Sequence, residues 1–235
     1  GTAMPAEDEK IENLDFLIFD HDGNIVYHLH PTLEWTGTEY KTTVTVFSAT
    51  GEHTLYLIAN YPMEEGTIHN LQGLESMICT TPDASIKPPF VMATKRIILS
   101  SLNATAIRNA MNSDSNNGFS LKRNVAKFDV EVSAANFSLK SVEWMECPTS
   151  ATVLAGVNYT SPYTKSVSNT TPLTNPVYLY QIPNMGSDAH KGFHVVVHGE
   201  YTSVDGTKRE GYYKLRLSTM GISGEKVPVD FNYRK

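Results

Sequence analysis

The chain has 235 residues, of which 40% are hydrophobic and 19% charged; this composition argues against disorder and allows a sizeable core in one large or two small domains. Its 19 lysine and arginine residues against 25 aspartate and glutamate residues give a net charge of -6, which argues against a nucleic-acid partner because phosphate binders normally carry a basic face. No apolar run approaches the roughly 20 residues needed to cross a bilayer, so we do not expect the chain to span a membrane.

The first predicted element is a β-hairpin near the N-terminus. An apolar stretch at residues 16–20 is followed by the pair Asp22-Gly23 and then by a returning segment at residues 25–30. Aspartate and glycine tolerate the backbone conformations that hairpin turns require. The pattern therefore predicts two antiparallel strands joined by a turn at residues 21–24.

The same segment contains the strongest catalytic motif of the sequence. The strand ends in Asp20-His21-Asp22-Gly23, which resembles the nucleophile motif of haloacid-dehalogenase-type phosphatases, where the first aspartate attacks phosphorus and the second handles a proton beside Mg²⁺. Asn24 stands where that family usually has threonine. The following segments also indicate antiparallel strands, whereas such enzymes need a parallel sheet. We therefore expect no catalytic residues and no enzymatic activity.

Two pairs of histidines raise the question of a metal site. His28 and His30 are predicted to share one strand face, and His194 and His198 form a second pair. Imidazole nitrogens bind divalent metals, but a stable site needs a third ligand, which the sequence does not assign. Because paired surface histidines are more often solvated, we expect no metal site and no cofactor.

Farther along the chain, apolar residues with a period of two predict strands in both halves. Such alternation is typical of antiparallel strands with one buried and one wet face. The alternating positions are Leu55, Leu57 and Ala59; Ala126, Phe128, Val130 and Val132; Phe193, Val195 and Val197; and Tyr213, Leu215 and Leu217. Helical spacing is confined to a short segment after Asn70 and a weaker one at residues 102–111.

Many short strands, frequent turns and few helices together predict an all-β protein. The expected architecture is a β-sandwich with Greek-key connections, for which transthyretin-like and immunoglobulin-like topologies both fit. A segment rich in serine, threonine, asparagine and proline begins at Cys147-Pro148 and extends to Pro176. A domain boundary there gives an N-terminal domain of residues 1–146 and a C-terminal domain of residues 147–235.

Several segments carry a family resemblance through their order along the chain. They are the hairpin at 17–26, the strand at 54–62 with its following helical stretch, the strand at 121–130, and the strands at 177–181, 194–201 and 211–217. In this order they resemble the fimbrillin superfamily of Bacteroidetes pilins, the major and minor fimbrial subunits of the Porphyromonas and Bacteroides type.

The resemblance implies two transthyretin-like Greek-key β-sandwich domains with one or two short helices. It further implies a structural subunit of a cell-surface pilus, exported to the outer membrane as a lipoprotein precursor, that polymerises or anchors by donor-strand exchange and contributes to adhesion. Partners would be other pilus subunits and host or bacterial surface proteins or glycans. The alternative is a tip adhesin or another carbohydrate- or protein-binding surface module. Since the family usually continues with a further strand, the C-terminal domain is expected to lack its last strand, either as a short subunit or as a fragment.

Two sets of residues are candidate binding positions. Pro228 cannot donate a ladder hydrogen bond and suits an edge strand, so alternate residues around it are candidates for the assembly strand: Val227, Val229, Phe231 and Tyr233. Aromatic residues in loops stack on sugars or become buried at interfaces. The candidates of this kind are Trp35, Tyr40, Tyr159 and Tyr163.

Overall fold

A computed structural model describes residues 4–80, 86–114, 117–128, 135–148, 150–154, 157–158, 163–168, 177–180, 194–215 and 229–230. Within these residues strands dominate, and the helical elements are two short α-helices and one 3₁₀ turn at Glu7–Glu9. The predicted all-β class is confirmed. In the same part of the chain, no helix is long and apolar enough to cross a membrane.

The strands are numbered in chain order. They are β1 (Leu14–Phe19), β2 (Ile25–Leu29), β3 (Glu34–Trp35), β4 (Tyr40–Lys41), β5 (His53–Ala59), β6 (Ile78–Thr80), β7 (Met92–Ala93), β8 (Ile97–Leu99), β9 (Lys122–Arg123), β10 (Val125–Phe128), β11 (Phe137–Cys147), β12 (Ser150–Thr152), β13 (Val157–Asn158), β14 (Tyr163–Ser168), β15 (Val177–Tyr180), β16 (His194–Thr202), β17 (Lys208–Leu215) and β18 (Val229–Asp230). The helices are α1 (Leu71–Glu75) and α2 (Ala104–Asp114).

The chain divides into two compact units. The described residues of unit 1 fall in the ranges Gly1–Thr80, Ser85–Val125 and Ala151–Gly156, and those of unit 2 in Ala126–Ser150 and Val157–Lys235. Along the described residues, the chain enters unit 2 at Ala126 and returns to unit 1 for a short segment that begins at Ala151. The domains 1–146 and 147–235 stay a prediction.

Unit 1 is built on a sheet with the strand order β2-β1-β5-β7-β9, in which β8 also pairs with β5. Strands β1 and β5 are antiparallel, with Phe16 opposite Leu57 and Ile18 opposite Leu55. These four side chains share one face and belong to the main hydrophobic core. The core thus packs against the sheet face that carries Leu55, Leu57 and Ala59, the alternating apolar positions predicted for β5.

The central strands of this sheet are covered on both faces. All six residues of β1 and all seven of β5 are buried, including Tyr56 and Ile58, which alternate with the predicted apolar positions of β5. The expectation of one wet face is therefore wrong for β5. A continuous apolar run of this kind is typical of a strand buried on both sides.

Both helices begin at an asparagine cap. The Asn70 side chain accepts a hydrogen bond from the Gly73 N–H at 2.8 Å, and the Asn103 side chain accepts one from the Ala106 N–H at 2.8 Å. Asparagine is favoured at this position because its side-chain oxygen satisfies an amide that has no partner within the helix. The position of each asparagine in the sequence therefore determines where its helix begins.

Unit 2 contains a sheet with the order β14-β11-β16-β17-β18. On its best-packed face, Val142 and Trp144 of β11 lie opposite Val197 and Val195 of β16, and all four side chains are buried. Strand β17 pairs with β16 along its whole length, from Lys208 to Leu215. Strand β18 continues the sheet at one edge.

Two hairpin turns, one of them the predicted turn after Asp20, contain a glycine with a left-handed backbone. The φ angle is 80° at Gly23 between β1 and β2 and 83° at Gly206 between β16 and β17. Residues with a Cβ atom rarely adopt such angles, so glycine is the residue that fits. Asn117 also has a left-handed φ, of 67°.

Candidate functional site

The hairpin of β1 and β2 carries a polar group on one of its two faces. Leu17 lies opposite His28 and Phe16 opposite Leu29, and the same register continued by one residue sets Asp15 opposite His30. Residues directly opposite each other in an antiparallel pair have side chains on the same face. Asp15, His28 and His30 therefore share the face that points away from the main core.

These three side chains form a compact cluster within unit 1. Asp15 Oδ1 lies 2.6 Å from His28 Nε2 and 3.2 Å from His30 Nδ1. The Asp15 and His28 side chains are only 1% and 4% exposed, whereas the His30 side chain is 49% exposed. The cluster is thus buried at one end and open to solvent at the other.

The buried end of the cluster contains polar atoms with unused hydrogen-bonding capacity. His28 Nδ1 and Asp15 Oδ2 are buried and, among the described residues, have no hydrogen-bond partner of normal geometry. Burial raises the pKa of the Asp15 carboxyl, while the hydrogen bond from His28, the charge of His30 and the Met63 backbone amide act to lower it. An unsatisfied buried polar atom typically costs about 1–3 kcal/mol, so the cluster is suited to an additional ligand.

A cleft of about 470 Å³ adjoins the cluster. Asp15 and His30 line it, together with Lys10, Trp35 and Tyr40. The cleft gives a small molecule or an ion a path to the open end of the cluster. It also combines aromatic surface with charged and polar groups, which is the usual make-up of a ligand site.

Two of the four predicted binding aromatics meet at this cleft. The Trp35 and Tyr40 rings are 4.9 Å apart between centroids and tilted by 54°, on the two short strands β3 and β4, which pair with each other. The Tyr40 hydroxyl also accepts a hydrogen bond from the Ile11 N–H at 3.0 Å. Of the other two candidates, only the backbone of Tyr163, in β14, is described, and Tyr159 lies outside the described residues.

The phosphatase-like segment forms the β1–β2 turn. The Asp20 carboxylate accepts hydrogen bonds from the Asp22 N–H at 3.0 Å and from the Asn24 N–H at 2.8 Å. The Asn24 backbone amide is the main cause of a pKa of Asp20 below its usual range. In this structure the Asp20 side chain therefore stabilises the turn, and the predicted hairpin is confirmed.

The second histidine pair lies on β16 in unit 2 and is less solvated than expected. His194 is buried, and His198 Nε2 lies 2.7 Å from Glu210 Oε1. The His198 ring is stacked on Tyr212 at a centroid distance of 4.2 Å, and Lys140 Nζ contacts the same Glu210 oxygen at 2.7 Å. These contacts hold His198 in an ion-pair network at the surface.

The candidate assembly strand is described only in part. Val229 lies in β18, which pairs with β17 through Lys214 opposite Asp230 and Leu215 opposite Val229. The other three candidates, Val227, Phe231 and Tyr233, lie outside the described residues. Among the described strands, β18 is the last one of the unit 2 sheet, so it lies at an edge of the sheet as far as the sheet is described.

Sequence reasoning missed Asp15 as the partner of the two histidines. The available signal was a carboxylate inside an otherwise apolar strand, Leu14-Asp15-Phe16-Leu17, which is unusual for a fully buried segment. Placing Asp15 beside the histidines also needed the hairpin register, which shifts by one residue between Ile18 and Phe19. That irregularity cannot be read from the alternation of apolar residues.

Comparison with known proteins finds similarity among solved structures and none among family models or curated sequences. The sequence matches no protein-family model and no curated protein. Among solved structures, a fimbrial assembly protein from Parabacteroides distasonis is 14% identical, with 96% of this chain and 93% of that chain covered and a TM-score of 0.47. A candidate adhesin from Bacteroides ovatus is 11% identical, with 94% and 74% covered and a TM-score of 0.47.

A third structure is similar enough to support a conclusion about the fold. A candidate cell adhesion protein from Parabacteroides distasonis is 14% identical to this chain. The match covers 91% of this chain and 76% of that protein, with a TM-score of 0.59. At this identity the likeness concerns the fold alone. The chain thus has an all-β sandwich fold similar to that of the Parabacteroides protein.

Proposed function

We propose that the chain is a structural subunit of a cell-surface fimbria that contributes to adhesion and assembles by β-strand addition. The observation that carries this proposal is the fold shared with a candidate cell adhesion protein over 91% of the chain. Fold alone does not determine function. The proposal therefore also depends on a surface of the molecule that suits assembly.

That surface is the outer edge of the unit 2 sheet. Strand β16 pairs with all eight residues of β17, whereas β18 pairs only with Lys214 and Leu215. In the described part of the chain, no strand pairs with residues 208–212 on the side opposite β16. Such an edge presents backbone groups to an incoming strand, whose hydrogen bonds supply affinity.

Specificity would come from alternating side chains beside this edge. The sequence repeats apolar residues at Val227, Val229, Phe231 and Tyr233, and burial of each such side chain contributes roughly 1.5–3 kcal/mol. We propose that this strand lies next to, or takes part in, the contact between subunits. The remaining surface partners would be host or bacterial proteins or glycans.

The test uses two neighbouring substitutions of opposite expected effect. Cells lacking the gene should lose or shorten a fimbria in electron micrographs, and the wild-type gene should restore it. Val229→Asp puts a charge at one of the alternating apolar positions of the sequence and should fail to restore normal fimbriae. Asp230→Asn alters the alternate side and should restore them. Unchanged fimbriae in the deletion strain would overturn the proposal.

Export to the outer membrane as a lipoprotein is part of the same proposal. Its support is the resemblance of the ordered strand segments to fimbrial subunits. Protease added to intact cells should degrade the protein, and a radiolabelled fatty acid should be incorporated into its precursor. Full protection from protease in intact cells would contradict a surface location.

A second candidate function is the binding of glycans or proteins at the cleft of unit 1. The observation in its favour is the tilted pair of Trp35 and Tyr40 at the edge of that cleft, since aromatic rings stack on sugars and anchor interfaces. A glycan array with the wild-type protein and with Trp35→Ala tests it. Phe47→Ala, which removes an aromatic side chain that is 82% exposed and does not line the cleft, is the control.

The proposal assigns no catalytic step to Asp20 or Asp22. If the Asp20 carboxylate only stabilises the turn, the protein should not hydrolyse a generic phosphate ester with or without Mg²⁺. Magnesium-dependent turnover that disappears in Asp20→Asn would point to the phosphatase function instead.

A further inference from the structure

We infer that Asp15, His28 and His30 form a binding site for one divalent transition-metal ion of the Zn²⁺ type. The site lies in unit 1 and is independent of the proposed strand addition in unit 2. One carboxylate oxygen and two imidazole nitrogens are a ligand set that zinc and its neighbours favour, whereas Mg²⁺ and Ca²⁺ prefer oxygen ligands.

The distances are close to those of a three-ligand site. The candidate ligand atoms all lie within 4.8 Å of one another, and Asp15 Oδ1 is 2.6 Å from His28 Nε2 and 3.2 Å from His30 Nδ1. Tetrahedral zinc with bonds of about 2.0–2.1 Å separates its ligand atoms by roughly 3.3 Å. The short contact must therefore widen by less than about 1 Å, which a small rotation of either side chain provides.

The paired strands of the hairpin fix Asp15 and His28 relative to each other, and His30 follows directly after the end of β2. Asp15 lies on β1, which pairs with β2 on one side and β5 on the other, and His28 lies on β2. Ligands on paired strands are better fixed than ligands on loops. The site therefore needs little rearrangement to bind an ion.

The burial of the cluster also favours an additional cation. The Asp15 carboxylate is almost completely buried, and no lysine or arginine contacts it in the part of the chain that the structure describes. Within the described ranges, its Oδ2 and the His28 Nδ1 find no hydrogen-bond partner of normal geometry. A bound cation would compensate the carboxylate charge.

The adjoining cleft provides access and an open coordination position. His30 is half-exposed, and both it and Asp15 line the cleft. Three protein ligands with a fourth position open to water or to an exogenous group are typical of zinc sites that bind ligands. The fourth position would be reached from the cleft, which Trp35 and Tyr40 also line.

The test is calorimetric titration of tag-free protein, stripped with a chelator, with ZnCl₂, and separately with MgCl₂ and CaCl₂. We expect one Zn²⁺ per chain and no measurable binding of Mg²⁺ or Ca²⁺. His30→Ala removes the exposed ligand and should weaken Zn²⁺ binding about tenfold or more. His21→Ala, which removes an exposed histidine of the same hairpin that contacts only Asp22 among the ion pairs of the described residues, should bind as the wild type does.

Cobalt substitution gives a second measurement on the unmodified protein. Co²⁺ bound by two imidazoles and a carboxylate in four-coordinate geometry should give strong visible absorption that added Zn²⁺ abolishes, and His30→Gln should lose this absorption. Absence of Zn²⁺ binding, equal Zn²⁺ affinity in His30→Ala and the wild type, or a Co²⁺ spectrum like that of the hydrated ion would each overturn the inference. The Co²⁺ spectrum of the wild type decides the matter if a variant fails to fold.

Discussion

Each unit contains a histidine paired with a carboxylate across two antiparallel strands, and the two pairs differ chiefly in burial. In unit 1, Asp15 and His28 are almost inaccessible to solvent. In unit 2, the Glu210 side chain is 51% exposed and the His198 side chain 18% exposed. The contact distances are nearly the same, 2.6 Å and 2.7 Å.

The pKa values of the two carboxyls shift in opposite directions. Burial is the largest influence on Asp15 and raises its pKa. For Glu210 the largest influences are hydrogen bonds from Lys140 and His198, which lower its pKa. The comparison shows that a short histidine contact does not by itself favour the charged carboxylate: desolvation opposes the charged state at Asp15, whereas hydrogen bonds from Lys140 and His198 favour it at Glu210.

The largest expected effect is that of Asp15→Ala, measured with a chelator present. Removing one partner of a buried pair typically costs about 3 kcal/mol or more, because the other partner stays buried and unsatisfied. We expect a loss of this size in the free energy of unfolding. Hydrogen exchange of the β1 and β5 amides, measured at increasing urea concentrations, reports this loss. Asp22→Ala, on the exposed turn of the same hairpin, should change the free energy by less than about 0.5 kcal/mol.

The next effect concerns the close packing beside His198 in unit 2. A Cβ added at Gly199 would meet Phe137 Cζ at 2.2 Å and the Ser138 carbonyl oxygen at 2.6 Å. Since overpacking typically costs 1–3 kcal/mol, Gly199→Ala should destabilise unit 2 by about 2 kcal/mol.

Its matched control is Gly211→Ala, where the added Cβ would meet only the Tyr213 ring, at ordinary contact distances from 3.5 Å. Trp144 fluorescence in a Trp35→Phe background reports on unit 2, because the chain has two tryptophans. Equal losses in the two alanine variants would contradict the close approach at Gly199.

The smallest expected effect is that of Glu210→Gln. This side chain is exposed, and surface ion pairs contribute little to stability. We expect a smaller loss in the free energy of unfolding than in Gly199→Ala and much smaller than in Asp15→Ala. A loss as large as that of Asp15→Ala would contradict the role assigned to burial.

The pH dependence of this small effect has a defined sign. Because the folded-state pKa of Glu210 lies below its usual 4.5, its contribution is present above that pH and is lost as the pH falls through the folded-state pKa. The difference in stability between the wild type and Glu210→Gln should therefore shrink as the pH is lowered from neutral. A difference that grows on acidification would show that the ion-pair network does not lower this pKa.

Much of the fold follows from local sequence signals. The turn after Asp20, the two asparagine-capped helices and the period-two strands could all be predicted, because each depends on neighbouring residues. The burial of both faces of β5 could not, since it depends on what the rest of unit 1 places over Tyr56 and Ile58.

The candidate sites were predictable to different extents. His28 and His30 could be placed on one strand face, and Trp35 and Tyr40 could be selected as aromatic candidates. Their common cleft and the third member of the cluster, Asp15, depend on strand pairings and on a register shift in the first hairpin. Tertiary pairing of this kind leaves no trace in the periodicity of either strand.

Strand addition at the edge of unit 2 is tested most directly by hydrogen exchange of the β17 amides, from Lys208 to Leu215, in the isolated subunit and in assembled fimbriae. The proposal predicts slower exchange on assembly at residues 208–212, because an added strand would pair with the backbone that no described strand covers. The β11 amides of the same sheet, at Val142 and Trp144, already have strands on both sides and should not change. Identical exchange of the β17 amides in the subunit and in the fimbria would contradict strand addition at this edge.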